Sequence, residues 1–260
     1  MTTLNVRPAT SRRPPMVPHQ HGAWAFLALP LVLALPLAGW DRTWPLVAIG
    51  WVAAYPASWA VTGLLAGPRP ARFRRAAWVW VPPTVLVAAL LAWSRPWLLV
   101  VGAGYLALFL VHLTYARHRD ERALANDLLL VVECALMVPV TVGVVDGDRT
   151  WWPPASAWSA ASGVLTLSCL LGLAASVLHV KSRIRERRDP RYAVAARGFA
   201  LTCIPVVAAV AVIGGSGPWL ALPFVAMAAR TWLPAAWRPA RVGLVELGCF
   251  VALAVVAWLG

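Results

Sequence analysis

Apolar residues in this chain come in long runs broken by short polar stretches. A helix crossing a hydrocarbon core of ~30 Å needs roughly 20 mostly apolar residues. Nine stretches meet that description: 22–40, 44–66, 76–93, 97–116, 127–145, 158–180, 198–214, 218–234 and 242–259. Nine spans of ~20 residues take up ~180 positions, leaving about 80 for a tail and short loops and no room for a soluble domain. The expected organisation is a flexible tail over 1–21 and one polytopic transmembrane domain over 22–260. The eighth stretch is the shortest: its clean run from Pro218 to Ala229 meets Arg230. An eight-helix arrangement with a re-entrant segment there is the alternative.

Composition agrees with an all-α integral membrane protein. Hydrophobic types make up 60% of the 260 residues and charged types 13%, against about 25% charged in soluble domains. Mean hydropathy is +0.70. Disorder, which needs low hydrophobicity, is excluded. A net charge of +13 taken alone suggests nucleic acid, but the placement of the charges argues against that partner. Arg7, Arg12 and Arg13 precede the first span. Arg69, Arg72, Arg74 and Arg75 follow the second, and Arg117, Arg119 and Arg122 follow the fourth. Lys181, Arg183, Arg185, Arg187, Arg188, Arg191 and Arg197 follow the sixth, and Arg230, Arg238 and Arg241 follow the eighth. Twenty of the 23 basic residues thus lie on one side, with Arg42, Arg95 and Arg149 on the other. Lys and Arg accumulate in cytoplasmic loops, so the N-terminus is expected inside and the C-terminus outside, in a bacterial cytoplasmic membrane. Anionic lipids of the cytoplasmic leaflet are the expected partners, with no nucleic acid.

Tryptophans mark the interfaces. Trp40, Trp44, Trp93, Trp97, Trp151, Trp152, Trp219 and Trp258 fall at the expected outer ends, and Trp24, Trp78, Trp80, Trp232 and Trp237 near the inner face. Cys134, Cys169, Cys203 and Cys249 all fall inside spans without metal-ligand spacing, as small apolar residues do.

Ionisable groups inside a membrane are costly, which makes each a functional candidate. All five histidines, His19, His21, His112, His118 and His179, map to cytoplasmic span ends, as do Asn126, Asp127, Glu133 and Glu246. His19 and His21 flank the entry to the first span; they can bind an anionic head group, transfer protons or bind a metal, or simply cap the interface beside Trp24. His112, Tyr115 and Arg119 share one face if the fourth helix continues. Asn126 and Glu133, seven apart, share a face of the fifth, with Asp127 pointing elsewhere. His179 and Arg183 are i, i+4 neighbours on a continuing sixth helix. The arginines there suit a phosphate, although a positive-inside signal in contact with anionic lipid explains them as well. Glu246 has Arg241 about one turn before it. Walker, Gly-x-Ser-x-Gly, His-Glu-x-x-His and Cys-x-x-Cys motifs do not occur; the cofactor is left unassigned, and no metal ligands are assigned.

The run His19-Gln20-His21-Gly22-Ala23-Trp24, the segment Arg119 to Asp127 and the segment His179-Val180-Lys181-Ser182 with Arg185-Glu186-Arg187-Arg188 resemble the bacterial YwiC-like membrane proteins over nearly the whole chain. That resemblance implies no particular reaction. A more distant likeness is to the UbiA-type intramembrane prenyltransferases, with nine helices and long connections after spans two, four and six. It implies a UbiA-like bundle, but the aspartate-rich motifs that hold Mg²⁺-diphosphate there are missing: residues 67–75 have no acid, and the sixth connection sets Glu186 and Asp189 among seven basic residues.

The expectation is a membrane-embedded enzyme, or a remodelled relative of one, acting on a lipid-soluble or phosphorylated substrate at a cytoplasm-facing cavity. His21, His179 and Glu133 are the expected catalytic groups. His112, Tyr115, Asn126, Lys181, Arg183 and Arg187 are the expected substrate contacts. His21, His112, Glu133, His179 and Arg183 should converge. The alternatives are a transporter or small-molecule binding protein, which calls for midplane polar groups and an internal repeat, and a non-catalytic subunit of a membrane complex.

Overall fold

The computed structural model describes residues 16–18, 21–233 and 237–260; most of the expected tail, with His19, lies outside them. Nine α-helices follow one another: α1 His21–Ala38, α2 Thr43–Leu65, α3 Arg74–Ser94, α4 Leu98–Arg117, α5 Leu124–Asp146, α6 Ala160–Val180, α7 Pro190–Ile213, α8 Leu222–Ala229 and α9 Pro239–Leu259. Seven of them (all but α1 and α8) are long and apolar enough to cross a membrane.

The two short helices differ from the expected spans for local reasons. In α1, Pro30 and Pro36 lie inside the 18-residue helix, where each removes one backbone hydrogen bond. In α8, eight α-helical residues are flanked by 3₁₀ turns at Pro218–Ala221 and Arg230–Trp232. This segment still runs antiparallel to α9: the Trp219 indole lies against Gly260 at one end, and Arg230 meets Glu246 at the other. The seventh helix starts at Pro190, eight residues earlier than the apolar run suggests. Asp189 caps it by accepting from the Arg191 N–H at 2.9 Å, and Pro190 takes the first position, where its missing N–H costs nothing.

The main core lies among α1, α5, α6, α7, α8 and α9, with Leu33, Val138, Cys169, Leu173, Phe224, Met227 and Leu253 enclosed. α1 packs most heavily on α5 and also touches α6 and α9. α2 and α3 form a tight pair, with α4 more loosely attached, and α3 and α4 present nearly all their surface outward. Rings stitch these helices together: Trp24 of α1 meets Tyr55 of α2 at 5.3 Å, linking this layer to the core, and within the layer Trp51 of α2 meets Tyr105 of α4 at 5.7 Å, both edge-on. The Trp51 indole donates to the Leu27 carbonyl at 3.1 Å.

Of the tryptophans expected in the outer belt, Trp40, Trp93, Trp151 and Trp152 are strongly exposed, whereas Trp97 is only 2% exposed. Trp97 opens α4 and folds inward over Gly143 of α5; a Cβ there would come within 3.2 Å of the ring. Trp97 is therefore a core residue, made so by a glycine on its neighbour. All four cysteines are buried free thiols. In the α1–α2 connection, the Arg42 N–H and the Thr43 hydroxyl both donate to Asp41 and hold its carboxyl below its ordinary pKa.

Candidate functional site

Connections after α2, α4, α6 and α8 gather at one end of the bundle, the basic end, and the ionisable side chains inside the helices face it. α4 stops at Arg117. Arg119 adopts φ 58° and the Asp120 N–H donates to the Tyr115 carbonyl at 2.9 Å, which turns the chain away from the helix. The expected face of His112, Tyr115 and Arg119 therefore ends at Tyr115. α5 begins seven residues after α4 ends, and both Asn126 and Glu133 reach His112. Asn126 Nδ2 donates to the Glu121 carbonyl at 2.9 Å, which aims its Oδ1 at His112 Nδ1, 2.7 Å away. His112 Nε2 then lies 3.2 Å from Glu133 Oε1. The contact is at ion-pair distance, off the line of a straight hydrogen bond. Behind it, the Tyr105 hydroxyl donates to the Glu133 backbone carbonyl at 2.7 Å.

A second group forms where α6, the end of α8 and α9 meet. α6 does not stop at Val180 but continues as a π turn over Lys181–Arg185, and this wider turn separates the side chains of His179 and Arg183. His179, 4% exposed, has Nε2 3.8 Å from Glu246 Oε1. Arg230, 3% exposed, has Nε 2.9 Å from the same oxygen. The partner of Glu246 is thus Arg230, eleven residues before the position the sequence suggests, because α8 brings its last turn back onto α9. Buried Ser176 sits beside Glu246. Arg183 donates to the Thr231 carbonyl, and the Arg197 guanidinium stacks on Trp232 at 5.8 Å.

An ion-pair bridge joins α5 to α6. Buried Lys181 places Nζ 3.1 Å from Asp127 Oδ2 and donates to the Arg122 carbonyl at 2.5 Å; Arg185 contacts the same carboxylate at 3.1 Å. The expected convergence is therefore replaced by two separate groups, His112–Asn126–Glu133 and His179–Glu246–Arg230, with Lys181–Asp127 between helices of each. Arg183 belongs to the rim of the second. Tyr115 is half-buried, and Arg187 is exposed; among the described residues neither side chain forms a hydrogen bond or ion pair. Asp120 and Glu121 likewise form no ion pair among the described residues. His21 opens α1, and its side chain lies outside the described residues. Arg230 and Tyr105 are not among the residues the sequence singles out, and Asp127 stands there only as a carboxyl pointing away from the Asn126–Glu133 face. The available signal for Arg230 was an arginine ending an apolar run too short to place it in a loop. Among the described residues no three His, Cys, Asp or Glu side chains are grouped to hold a metal ion.

The family model described as "YwiC-like protein" matches residues 17–142. A protein of Bacillus subtilis named "Uncharacterized protein YwiC" is 30% identical over 248 residues, covering 90% of this chain and 94% of its own. This chain belongs to the YwiC-like family. No solved structure matches it. The stretch matched by the YwiC-like model carries α1 to α4 and most of α5, including the His112–Asn126–Glu133 group; His179, Arg230 and Glu246 follow it in the chain.

Chemically the two groups of this YwiC-like chain are unlike. With Nδ1–H committed to Asn126, His112 turns Nε2 to the carboxyl. The couple is neutral overall either as imidazole with carboxylic acid or as imidazolium with carboxylate, which lowers the cost of burying it. It can hold or pass one proton. The second group carries a buried guanidinium whose Nη1 and Nη2 meet no hydrogen-bond partner, a donor set matched to an anion.

Proposed function

We propose that this chain is an enzyme embedded in the bacterial cytoplasmic membrane, with its N-terminus and basic end in the cytoplasm, acting on a lipid-soluble substrate with an anionic head. The observation that carries this reading is the buried His112–Glu133 contact oriented by Asn126. It sits about nine residues into α5, roughly 14 Å from that helix's start, where an ionisable pair is rarely kept without a role. In this reading Glu133 and His112 exchange the proton of the reaction. His179 is a second acid–base group, and His21 is placed at the same end by α1. Arg183 and exposed Arg187 attract the anionic head, while Lys181 holds Asp127 and so fixes α5 against α6. The bundle is read as a UbiA-like plan remade without its Mg²⁺-diphosphate motifs: Asp189 caps α7, and the α2–α3 connection has no acid.

The test is a mass-spectrometric comparison of lipids. Full-length protein in vesicles of total bacterial lipid is incubated with a desalted cytosolic small-molecule fraction. One lipid class is expected to change mass with wild type and to change at least about 100-fold more slowly with Glu133→Gln, as for loss of a general acid–base. No mass change, together with a Glu133-dependent solute or proton flux into the same vesicles, would replace the enzyme with a transporter.

A further inference from the structure

On the outer side of the bundle, α8 and α9 leave a groove of about 360 Å³, within the range of small-molecule sites. Its walls are small or apolar: Ala226, Ala229, Gly248 and Ala252 line it, with Cys249 and Arg230. Ala226, Ala229 and Gly248 are exposed, so the groove opens sideways into the hydrocarbon. At Gly248 a Cβ would meet nothing within 4 Å, so open space continues up to the backbone of α9.

Arg230 ends this groove at the basic end. It is 3% exposed, and its Nη1 and Nη2 have no hydrogen-bond partner among the described residues. Glu246 Oε1 lies 2.9 Å from its Nε. Two further cations hold the same short turn, Arg183 through the Thr231 carbonyl and Arg197 over Trp232. Three guanidinium groups thus meet this short turn, with Glu246 the carboxylate in ion-pair contact with Arg230, and the local excess is positive at the basic end of the groove. An apolar slot open to lipid with unsatisfied guanidinium donors at its cytoplasmic end matches an amphiphile with an anionic phosphate head. It does not match a zwitterionic lipid, whose ammonium would face these cations.

We infer that the α8–α9 groove binds one anionic bilayer phospholipid, its tail along Ala226, Gly248 and Ala252 and its phosphate on Arg230. As the head-group subsite of the enzyme the inference rests on the reading above; as a binding site it stands without it, because the His112–Glu133 couple belongs to other helices.

Native mass spectrometry of the full chain in neutral detergent tests it. The probes are dioleoyl phosphatidic acid, dioleoyl phosphatidylcholine and inorganic phosphate. One phosphatidic acid is expected to stay bound. Affinity should fall about tenfold or more with Arg230→Gln, as for a lost charge-assisted contact, and comparably with Gly248→Leu, which fills the slot and leaves Arg230 in place. Because Arg230→Gln leaves Glu246 buried alone, the Arg230→Gln/Glu246→Gln pair serves as the folded reference, and it too should have lost the lipid. His112→Gln should bind as wild type does, so that loss of turnover and loss of binding are read separately. Equal retention of phosphatidylcholine, unchanged binding in Gly248→Leu and the Arg230→Gln/Glu246→Gln pair, or competition by inorganic phosphate alone at equal affinity would overturn the inference.

Discussion

His112 shows how a single ring can be fixed by three unrelated stretches of chain. Glu121 contributes a carbonyl that orients Asn126, Asn126 orients the ring, and the ring faces Glu133. Removing one member of a buried polar pair strands the other, so the cost of a deletion should exceed the worth of the contact. Glu133→Ala and His112→Ala are each expected to destabilise the protein by about 2–4 kcal/mol. The double variant should lose less than the sum, with a coupling of roughly 1–3 kcal/mol. Glu133→Gln, which keeps a donor facing Nε2, should cost about 1 kcal/mol or less. Unfolding of the purified variants in detergent, followed by denaturant titration, checks all four; strict additivity would show that the two side chains do not act on each other. The pairing was only partly legible. The seven-residue spacing put Asn126 and Glu133 on one face, but nothing in α5 alone says that the face meets His112. Arg230 was harder still. It reads as one more positive-inside charge until α8 is seen to carry it down beside Glu246.

At the scale of elements, the sequence reveals where apolar runs lie more surely than where helices begin and end. α2, α5 and α9 begin and end within about three residues of their apolar runs, because a membrane helix is bounded by hydrocarbon and its length is a local property of the chain. α7 departs from its run. Its first two turns, Pro190–Arg197, contain two arginines and no long apolar stretch, and form a helix because Asp189 and Pro190 supply a cap and a preset first residue. The signal Asp-Pro was present, although hydropathy does not read it. α6 departs in the other direction, extending past its apolar run as a π turn whose arginines are held by Asp127 and Thr231. Asp189→Ala should therefore fray the start of α7, lowering stability by about 1 kcal/mol, with Asp189→Asn close to wild type. Hydrogen exchange over residues 191–197 is the readout. Faster exchange confined to that stretch is the expected result, and exchange equal to wild type would mean that Pro190 alone starts the helix.

For the whole molecule, the charges and the folding path give one answer by different routes. The Lys and Arg distribution alternates loop by loop, which requires that every helix, including short α8, reverse the chain's direction. The contacts show the reversals directly at the doubtful places: Trp97 N–H reaches the Thr150 carbonyl at 3.2 Å across the end opposite the basic loops, Trp219 lies against Gly260 at that same end, and Arg230 meets Glu246 near the basic end. An odd number of reversing segments would leave the two termini on opposite faces, with the N-terminal, basic side in the cytoplasm under the orientation proposed above. A C-terminal alkaline phosphatase fusion should accordingly be active and a C-terminal green fluorescent protein fusion dark, while fusions truncated after Arg188 should report the opposite pair. Single cysteines at Ser216 and Arg238, in a chain with its four native cysteines replaced by alanine, should be labelled by a membrane-impermeant maleimide from opposite faces. Labelling of both from one face would make α8 re-entrant. It would also put the C-terminus in the cytoplasm and leave the arginines at 238 and 241 without the positive-inside preference that the N-terminal tail and the other three basic connections follow.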